Sequence, residues 1–434
     1  MSDRCEGQSA RQRLRRDATA DGNRSDGVRL TELWGLRIVR LVTSVKEVNV
    51  EHQKGDQGLV RSQNRALVIN LLRSHGPMSR ADIAKQTGLA PSALTRLMRI
   101  LIDEGIVEEV GKANSSGGRP ATLVGLNQSH ASSVGIKIER RRVLAARVNL
   151  GGAITRRAES PIDDPPDPAA ALDTVAGLID DLLEERALGI GVCVSGFVEP
   201  STGMNLFSPI LKWENVGILE ALATRFHVPV RVENDVNALA LAECWHGAGA
   251  SYQNFVCITV GEGIGAGVVI GGDVYHGAHG GAGELGHITI DPNGPVCRCR
   301  ERGCLEVYAS DRFLEEEADR LGFSGIDEMI AAARDGSGDA KDAFTQMGRN
   351  LGIGAKNLVN LLNPEAIVLG GERMDEDDLF FDAFVEEVRR HSFPAEAAQL
   401  EIVPAQLGRD GFLIGAAALA TVEFFRLPAQ VSAT

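Results

Sequence analysis

Between Gly283 and Glu306 the chain gathers one histidine and three cysteines: Gly283-Glu284-Leu285-Gly286-His287, then Cys297-Arg298-Cys299, then Gly303-Cys304-Leu305-Glu306. Three of its seven cysteines fall within eight residues, starting ten residues after the histidine. A C-x-C pair alone reads as chance or as a redox pair. With a third cysteine, an upstream histidine, and Gly286 and Gly303 to turn the chain, the spacing closes a tetrahedron around zinc, at about 2.3 Å to sulfur and about 2.0 Å to nitrogen. Four protein ligands (His287, Cys297, Cys299 and Cys304) fill the shell, so the expected Zn2+ is structural and has no open position for hydrolysis. A loop crossed by a metal is stiff and holds the carboxylates at its ends, Glu284 and Glu306, in place.

At 434 residues the chain has room for two or three domains and a core that needs no disulfides. Cys5, Cys193, Cys244 and Cys257 are scattered, three of them in apolar runs that read as buried thiols. That usage, without a signal peptide, points to the cytoplasm. No apolar run approaches the roughly 18 residues of a membrane span; in Leu33–Val50, Arg37, Arg40 and Lys46 interrupt. Charge is divided unevenly. Residues 1–126 carry 20 basic and 14 acidic residues, a net of +6, and residues 127–434 carry 25 and 45, a net of −20. A basic front and an acidic body imply that only the front meets nucleic acid.

Residues 1–58 read as an extension, disordered where Arg, Asp, Ser and Gly dominate up to Gly27. Residues 59–127 read as a winged helix-turn-helix. Leu67, Val68, Leu71 and Leu72 form a helical stripe over Asn64–Ser74, stopped at His75-Gly76-Pro77. Ser79 caps a helix over Arg80–Gln86, with Asp82 completing a near capping box. Thr87-Gly88-Leu89 turns the chain, and Ala90-Pro91-Ser92 opens a third helix with Leu94, Leu97, Met98 and Leu101 on one face. This is the spacing of a support helix, a glycine turn and a recognition helix. Ser79, Pro91, Ser92, Thr95, Arg96 and Arg99 are its expected DNA-facing residues. Ile106–Val110 and Ala121–Leu126 alternate as two strands around a basic, glycine-rich tip from which Arg119 reaches toward a minor groove.

Residues 128–434 alternate strands and helices, the pattern of an α/β body, expected in two lobes around a cleft. Strands are expected within Ser133–Leu150, joined through Glu139–Arg142, and at Leu188–Val194, Val228–Val232, Phe255–Val260, Gly267–Ile270 and Ala366–Leu369. Helices are expected at Leu172–Glu185, Val216–Phe226, Asn237–Trp245, Gly352–Leu362 and over most of Phe313–Asn350. Glu233-Asn234-Asp235 follows a strand end, where open α/β sheets place ligand contacts. Its amide and carboxylate suit sugar hydroxyls; alternatively, it is an Asx turn capping the next helix. The glycines of Gly261-Glu-Gly263-Ile-Gly265-Ala-Gly267 permit a close turn, but Glu262 sets an anion where a phosphate would lie.

Together these residues resemble the ROK family of repressors and sugar kinases, over nearly the whole chain from about residue 61. The most specific match runs from Gly263-Ile-Gly265 through Gly277 and Gly283–His287 to C-x-C-x4-C-Leu-Glu. The resemblance implies an actin-like, two-lobed ATPase fold. It implies that His287, Cys297, Cys299 and Cys304 hold zinc, and that Asn234, Asp235, Glu284, His287 and Glu306 bind sugar hydroxyls with Gly196 as a backbone contact. Arg300 stands where the family usually has Gly, which opens that turn to a different course. Kinase members carry Asp-x-Gly-Gly-Thr on the first hairpin; here Lys137, Glu139, Arg140 and Arg141 replace it, and Glu262 replaces a Thr. Asp235 stands at the position of the kinase base, but a base without a bound phosphoryl donor has no reaction to catalyse. The expectation is a sugar-responsive transcription factor, a repressor and not an enzyme, that sits as a homodimer on palindromic operator DNA. Its rivals are a sugar kinase with an added DNA-binding domain and a regulator that senses a phosphotransferase protein.

Overall fold

The computed structural model describes residues 57–113, 120–391 and 399–425. The expected N-terminal extension lies almost wholly outside the described residues, as does Arg119. Among the described residues no helix is long and apolar enough to cross a membrane.

The front of the chain is built from α1 (Gln57–His75), β1 (Met78–Ser79), α2 (Arg80–Thr87), α3 (Pro91–Asp103), β2 (Val107–Lys112) and β3 (Thr122–Leu126). Local signals set its boundaries. Ser79 Oγ accepts from Asp82 N at 3.1 Å to start α2, and Gly88, at φ +69°, ends it by donating to Ala84 O. Pro91 opens α3. Gly105, at φ +75°, closes it with Gly105 N–Ile102 O and Ile106 N–Leu101 O bonds, a Schellman pattern. The three strands pair antiparallel in the order β1-β3-β2. Val68, Ile69, Leu72, Ile83, Leu94, Met98, Leu101 and Val124 fill one core, joined by Phe425 from the far end of the chain.

Behind it stand two five-stranded sheets. The first comprises β4 (Ser132–Ile138), β5 (Arg142–Asn149), β6 (Ile154–Pro161), β7 (Ala187–Val194) and, after a small sheet of β8 (Phe197–Glu199), β9 (Met204–Ser208) and β10 (Trp213–Gly217), β11 (Val230–Asn234). The second comprises β12 (Phe255–Val260), β13 (Ile264–Ile270), β14 (Asp273–Val274), β15 (Ala366–Gly370) and β16 (Glu401–Pro404). Each sheet orders its strands third, second, first, fourth, fifth, with only the second strand antiparallel to the rest.

The helices of this body are α4 (Pro168–Leu182), α5 (Ile218–Ala223), α6 (Asp235–His246), α7 (Glu306–Ala309), α8 (Asp311–Leu321), α9 (Ile326–Arg334), α10 (Gly338–Leu362), α11 (Asp377–His391) and α12 (Asp410–Phe425). The expected helix Val216–Phe226 shrinks to α5. Trp213 and Val216 turn inward from β10, which pairs with β9, and strand pairing wins there. Two helices rich in small residues, α6 and α12, cross between the sheets. A Cβ at Gly415 would meet Ala238 O at 1.8 Å, and one at Gly191 would meet Ala416 O at 1.7 Å, so only glycine allows these approaches.

Candidate functional site

Backbone constraint positions the candidate metal ligands. Gly283, at φ +92°, lies where a Cβ would strike Ala266 O at 1.8 Å, and Gly286 packs in the same way on Ile264 O. The short turn Leu285–His287 then presents the imidazole. Across from it a tight loop is tied by Cys297 N–Glu301 O at 2.8 Å and by Thr289–Cys304 and Val296–Arg302 bridges. Arg300 adopts φ +79°, the left-handed conformation that favours glycine.

One ligand atom from each of His287, Cys297, Cys299 and Cys304 lies within 4.8 Å of all the others. Cys297 Sγ is 3.7 Å from His287 Nδ1, and Cys299 Sγ is 3.6 Å from Cys304 Sγ. A tetrahedron with about 2.3 Å metal–sulfur bonds has edges of about 3.8 Å, so these residues fit a single small cation. Burial pushes the free Cys304 thiol up to about 12. A divalent cation would supply the charge that holds such a group as thiolate.

The expected sugar-binding residues converge beside this loop. Glu306 begins α7, is 7% exposed, and sets Oε1 3.7 Å from Cys297 Sγ and 3.8 Å from Arg298 Nε. Glu284 is open to water at one side yet ringed by protein. That desolvation, with the nearby charges of Glu306 and Asp235, raises its pKa against the opposing pull of His287. Asp235 is likewise raised by burial, with Lys137 opposing. Asn234 caps α6: its Oδ1 accepts from Val236 N at 2.9 Å and Asn237 N at 3.2 Å, and its Nδ2 donates to Gly196 O at 3.0 Å. The Asx-turn reading of Asn234 therefore holds in the structure, and the same bonds fix the Gly196 turn, at φ +95°. Behind the cap, Glu233 accepts from Asn234 N and Asn237 Nδ2 and pairs with His276 Nε2 at 2.7 Å. The Glu233–His276 pair escapes sequence reasoning because its partners are 43 residues apart.

The first hairpin carries charge across the cleft. Lys137, 5% exposed, sets Nζ 3.2 Å from Glu372 Oε1, 3.6 Å from Glu139 Oε1 and 3.4 Å from the centre of the Phe412 ring. Arg140 reaches Glu262 at 3.4 Å, and Arg298 donates to Glu262 O at 2.9 Å. Glu262 is thus paired with cations.

On α3, Pro91, Ser92, Thr95, Arg96 and Arg99 are exposed while Leu94, Met98 and Leu101 are buried. Among the described residues neither Arg96 nor Arg99 has a carboxylate partner, in contrast to Arg65 with Glu104 and Arg80 with Glu109. Ser79 is buried at 6% and its hydroxyl serves the α2 cap, so it is not presented to DNA.

The ROK family profile matches residues 133–423, and a winged helix-turn-helix DNA-binding profile matches residues 61–108. The xylose repressor of Caldicellulosiruptor bescii is 30% identical over 395 residues, covering 86% of this chain and 99% of the relative. The DNA-binding transcriptional dual regulator NagC of Escherichia coli K12 is 30% identical over 383 residues, covering 85% and 94%. Among solved structures, a ROK family transcriptional regulator described as a homologue of the E. coli MLC protein superposes with a TM-score of 0.70 at 29% identity, over 84% of this chain and 97% of that one. A ROK family glucokinase from Streptomyces griseus, in complex with glucose and AMPPNP, superposes with a TM-score of 0.60 at 29% identity, over 66% of this chain and 98% of that one.

Proposed function

The chain belongs to the ROK family, and within it we propose a sugar-responsive, DNA-binding transcriptional regulator, a repressor of genes for carbohydrate uptake or breakdown, working in the cytoplasm as a homodimer on a palindromic operator. It is a regulator and not an enzyme, as the repressor relatives and the winged domain support. The observation that carries this reading is Lys137. From the hairpin where, by the family resemblance, kinases grip phosphate, its ammonium ties Glu139 beside it and Glu372 after β15, while Glu284, Glu306 and Asp235 lie near one another by the candidate metal loop.

In this reading Asn234, Asp235, Glu284, His287 and Glu306 hydrogen-bond the sugar hydroxyls, and Gly196 supplies a backbone contact. The carboxylates accept from hydroxyls, and His287 turns Nδ1 to the cysteines, which leaves Nε2 for the ligand. Zn2+ held by His287, Cys297, Cys299 and Cys304 would supply rigidity to the loop that carries three of these groups. The response travels along α6, which starts at the proposed sugar contacts and whose last turn, at Trp245, packs against Arg73 of the winged domain and against Phe425 at the end of α12. Twelve residues at about 1.5 Å each make this helix about 18 Å long. Sugar shifts the lobe arrangement only by its differential affinity for the two states. Arg96 and Arg99 then read the major groove and Ser92 and Thr95 contact it, with Pro91 setting the helix start, while Arg119 is assigned to the minor groove from sequence.

The test joins a monosaccharide thermal-shift panel to an operator gel shift. A sugar should raise the melting temperature and alter operator binding, and Glu284→Ala should abolish both responses while leaving sugar-free operator binding intact. Arg96→Ala should weaken operator binding by about 1–3 kcal/mol. Turnover of ATP with a hexose would overturn the proposal in favour of a kinase.

A further inference from the structure

At the far end of α6 from Asn234 lies a half-open cavity of about 360 Å3, walled by α1 and β2–β3 of the winged domain on one side and by the turn after β5 and His246 on the other. Arg73 lines it. The face of its guanidinium is covered by rings, Trp245 at 4.3 Å and Phe425 at 5.4 Å, which directs the N–H edge elsewhere. Its Nε is buried with no hydrogen-bond partner, and among the described residues no carboxylate pairs with it. Elsewhere most arginines of this body sit in ion pairs, so an unpaired, partly buried guanidinium needs an explanation. Burial lowers its pKa and, followed by the charge of Arg73 itself, pushes His246 down to about 4, so His246 is a neutral donor and acceptor at the same wall. A separate small chamber lies next door. Ser133 Oγ, on a residue only 1% exposed, has no partner and faces a small chamber of about 10 Å3 that shares His246 with the main cavity. The acidic residue at the wall is Glu108, exposed on β2 and unpaired with Arg73.

We propose that this cavity is a second ligand site, taking a small organic anion, carboxylate or phosphate, whose charge Arg73 meets and whose remaining polar atoms His246, Gln128 and Ser129 address. Leu72, Val110 and Leu150 give the wall an apolar share, which suits a metabolite more than a bare ion. Because the winged domain and the first lobe each supply a wall, an occupant favours the one placement of the two that closes both around it. The site does not depend on the sugar reading.

Calorimetric titration of the full chain with inorganic phosphate, and separately with succinate, at fixed pH and ionic strength, tests this. Binding of at least one anion is expected, weakened about tenfold or more in Arg73→Met, which keeps an apolar stem against Trp245. Val110→Trp, on an exposed residue at the cavity wall, blocks entry without touching the core and should weaken binding likewise, which keeps the test decisive if Arg73→Met fails to fold. Glu284→Ala should leave anion binding unchanged. Which anion responds tells phosphate from carboxylate. Absence of binding by both, or binding that neither Arg73→Met nor Val110→Trp weakens, overturns the proposal.

Discussion

The two lobes share one strand order and differ at the tips of their first hairpins. In the second lobe the β12–β13 tip is Gly261-Glu262-Gly263, and its glycines let carboxylates approach the backbone: a Cβ at Gly261 would lie 2.2 Å from Glu372 Oε2, and one at Gly263 would lie 3.2 Å from Glu306 Oε2. In the first lobe the β4–β5 tip is Glu139-Arg140-Arg141, bulky and charged. One tip keeps its backbone close to the cleft. The other sends cations over it, Lys137 to Glu372 and Arg140 to Glu262. The same scaffold thus holds a glycine turn on one side and a charged latch on the other.

The asymmetry is broken most severely by removing the metal loop. Cys304→Ala should release bound zinc and cost more than about 3 kcal/mol, read as a fall in melting temperature alongside metal content. Hydrogen exchange should show the loss in residues 283–306 and leave β4 and β7 protected. Equal loss in both lobes would mean the loop supports the whole body.

Next comes the latch. Lys137→Met strands Glu372 and Glu139. Because the Glu372 side chain is 37% open to water, screening limits the expected cost to about 2–3 kcal/mol in denaturant unfolding. Lys137→Met with Glu372→Gln should recover most of it. The pH profile sharpens this. Burial alone, the largest single influence, would raise Glu372, but Lys137, a backbone hydrogen bond and Arg409 together outweigh it and hold the carboxyl below its usual 4.5. A carboxylate lowered on folding adds stability that is full above the unfolded pKa and is lost as pH falls through the folded one. Wild-type stability should therefore drop below about pH 4.5, and Lys137→Met should erase that part of the slope. An unchanged slope would remove the latch from the comparison.

The smallest effect is at Arg300. Its left-handed φ costs what glycine would not, so Arg300→Gly should stabilise the loop by about 0.5–1 kcal/mol, measured as a small rise in melting temperature with metal bound.

What the sequence revealed follows the range of the interactions. The winged domain was legible because its caps and turns, Ser79 with Asp82 and Gly88 with Ala84, are made within four residues. The His287, Cys297, Cys299 and Cys304 cluster was legible because its members are near neighbours in the chain. β6 was not: it pairs only with β5 at the sheet edge, and its Thr155-Arg156-Arg157 stretch is exposed and shows no apolar run. α12 offers no stripe to read, since small apolar residues surround it and it is buried on nearly every side. Lys137 finds Glu372 across 235 residues, and Arg73 meets Trp245 only once the body has closed behind the winged domain. Sequence placed charged residues on the first hairpin but did not show which partners they meet.

The crossing of α6 and α12 has a mechanical consequence. Where Gly415 seats against Ala238, the two axes approach so closely that neither rod can telescope past the other without collision. One rod starts among the proposed carbohydrate contacts, the other starts beside Phe412 under the latch, and both finish beneath the operator reader. A strut pair pinned about a third of the way from its starting ends would act as a lever with its longer arms toward the winged domain, so a tilt at the short end would emerge enlarged at the other.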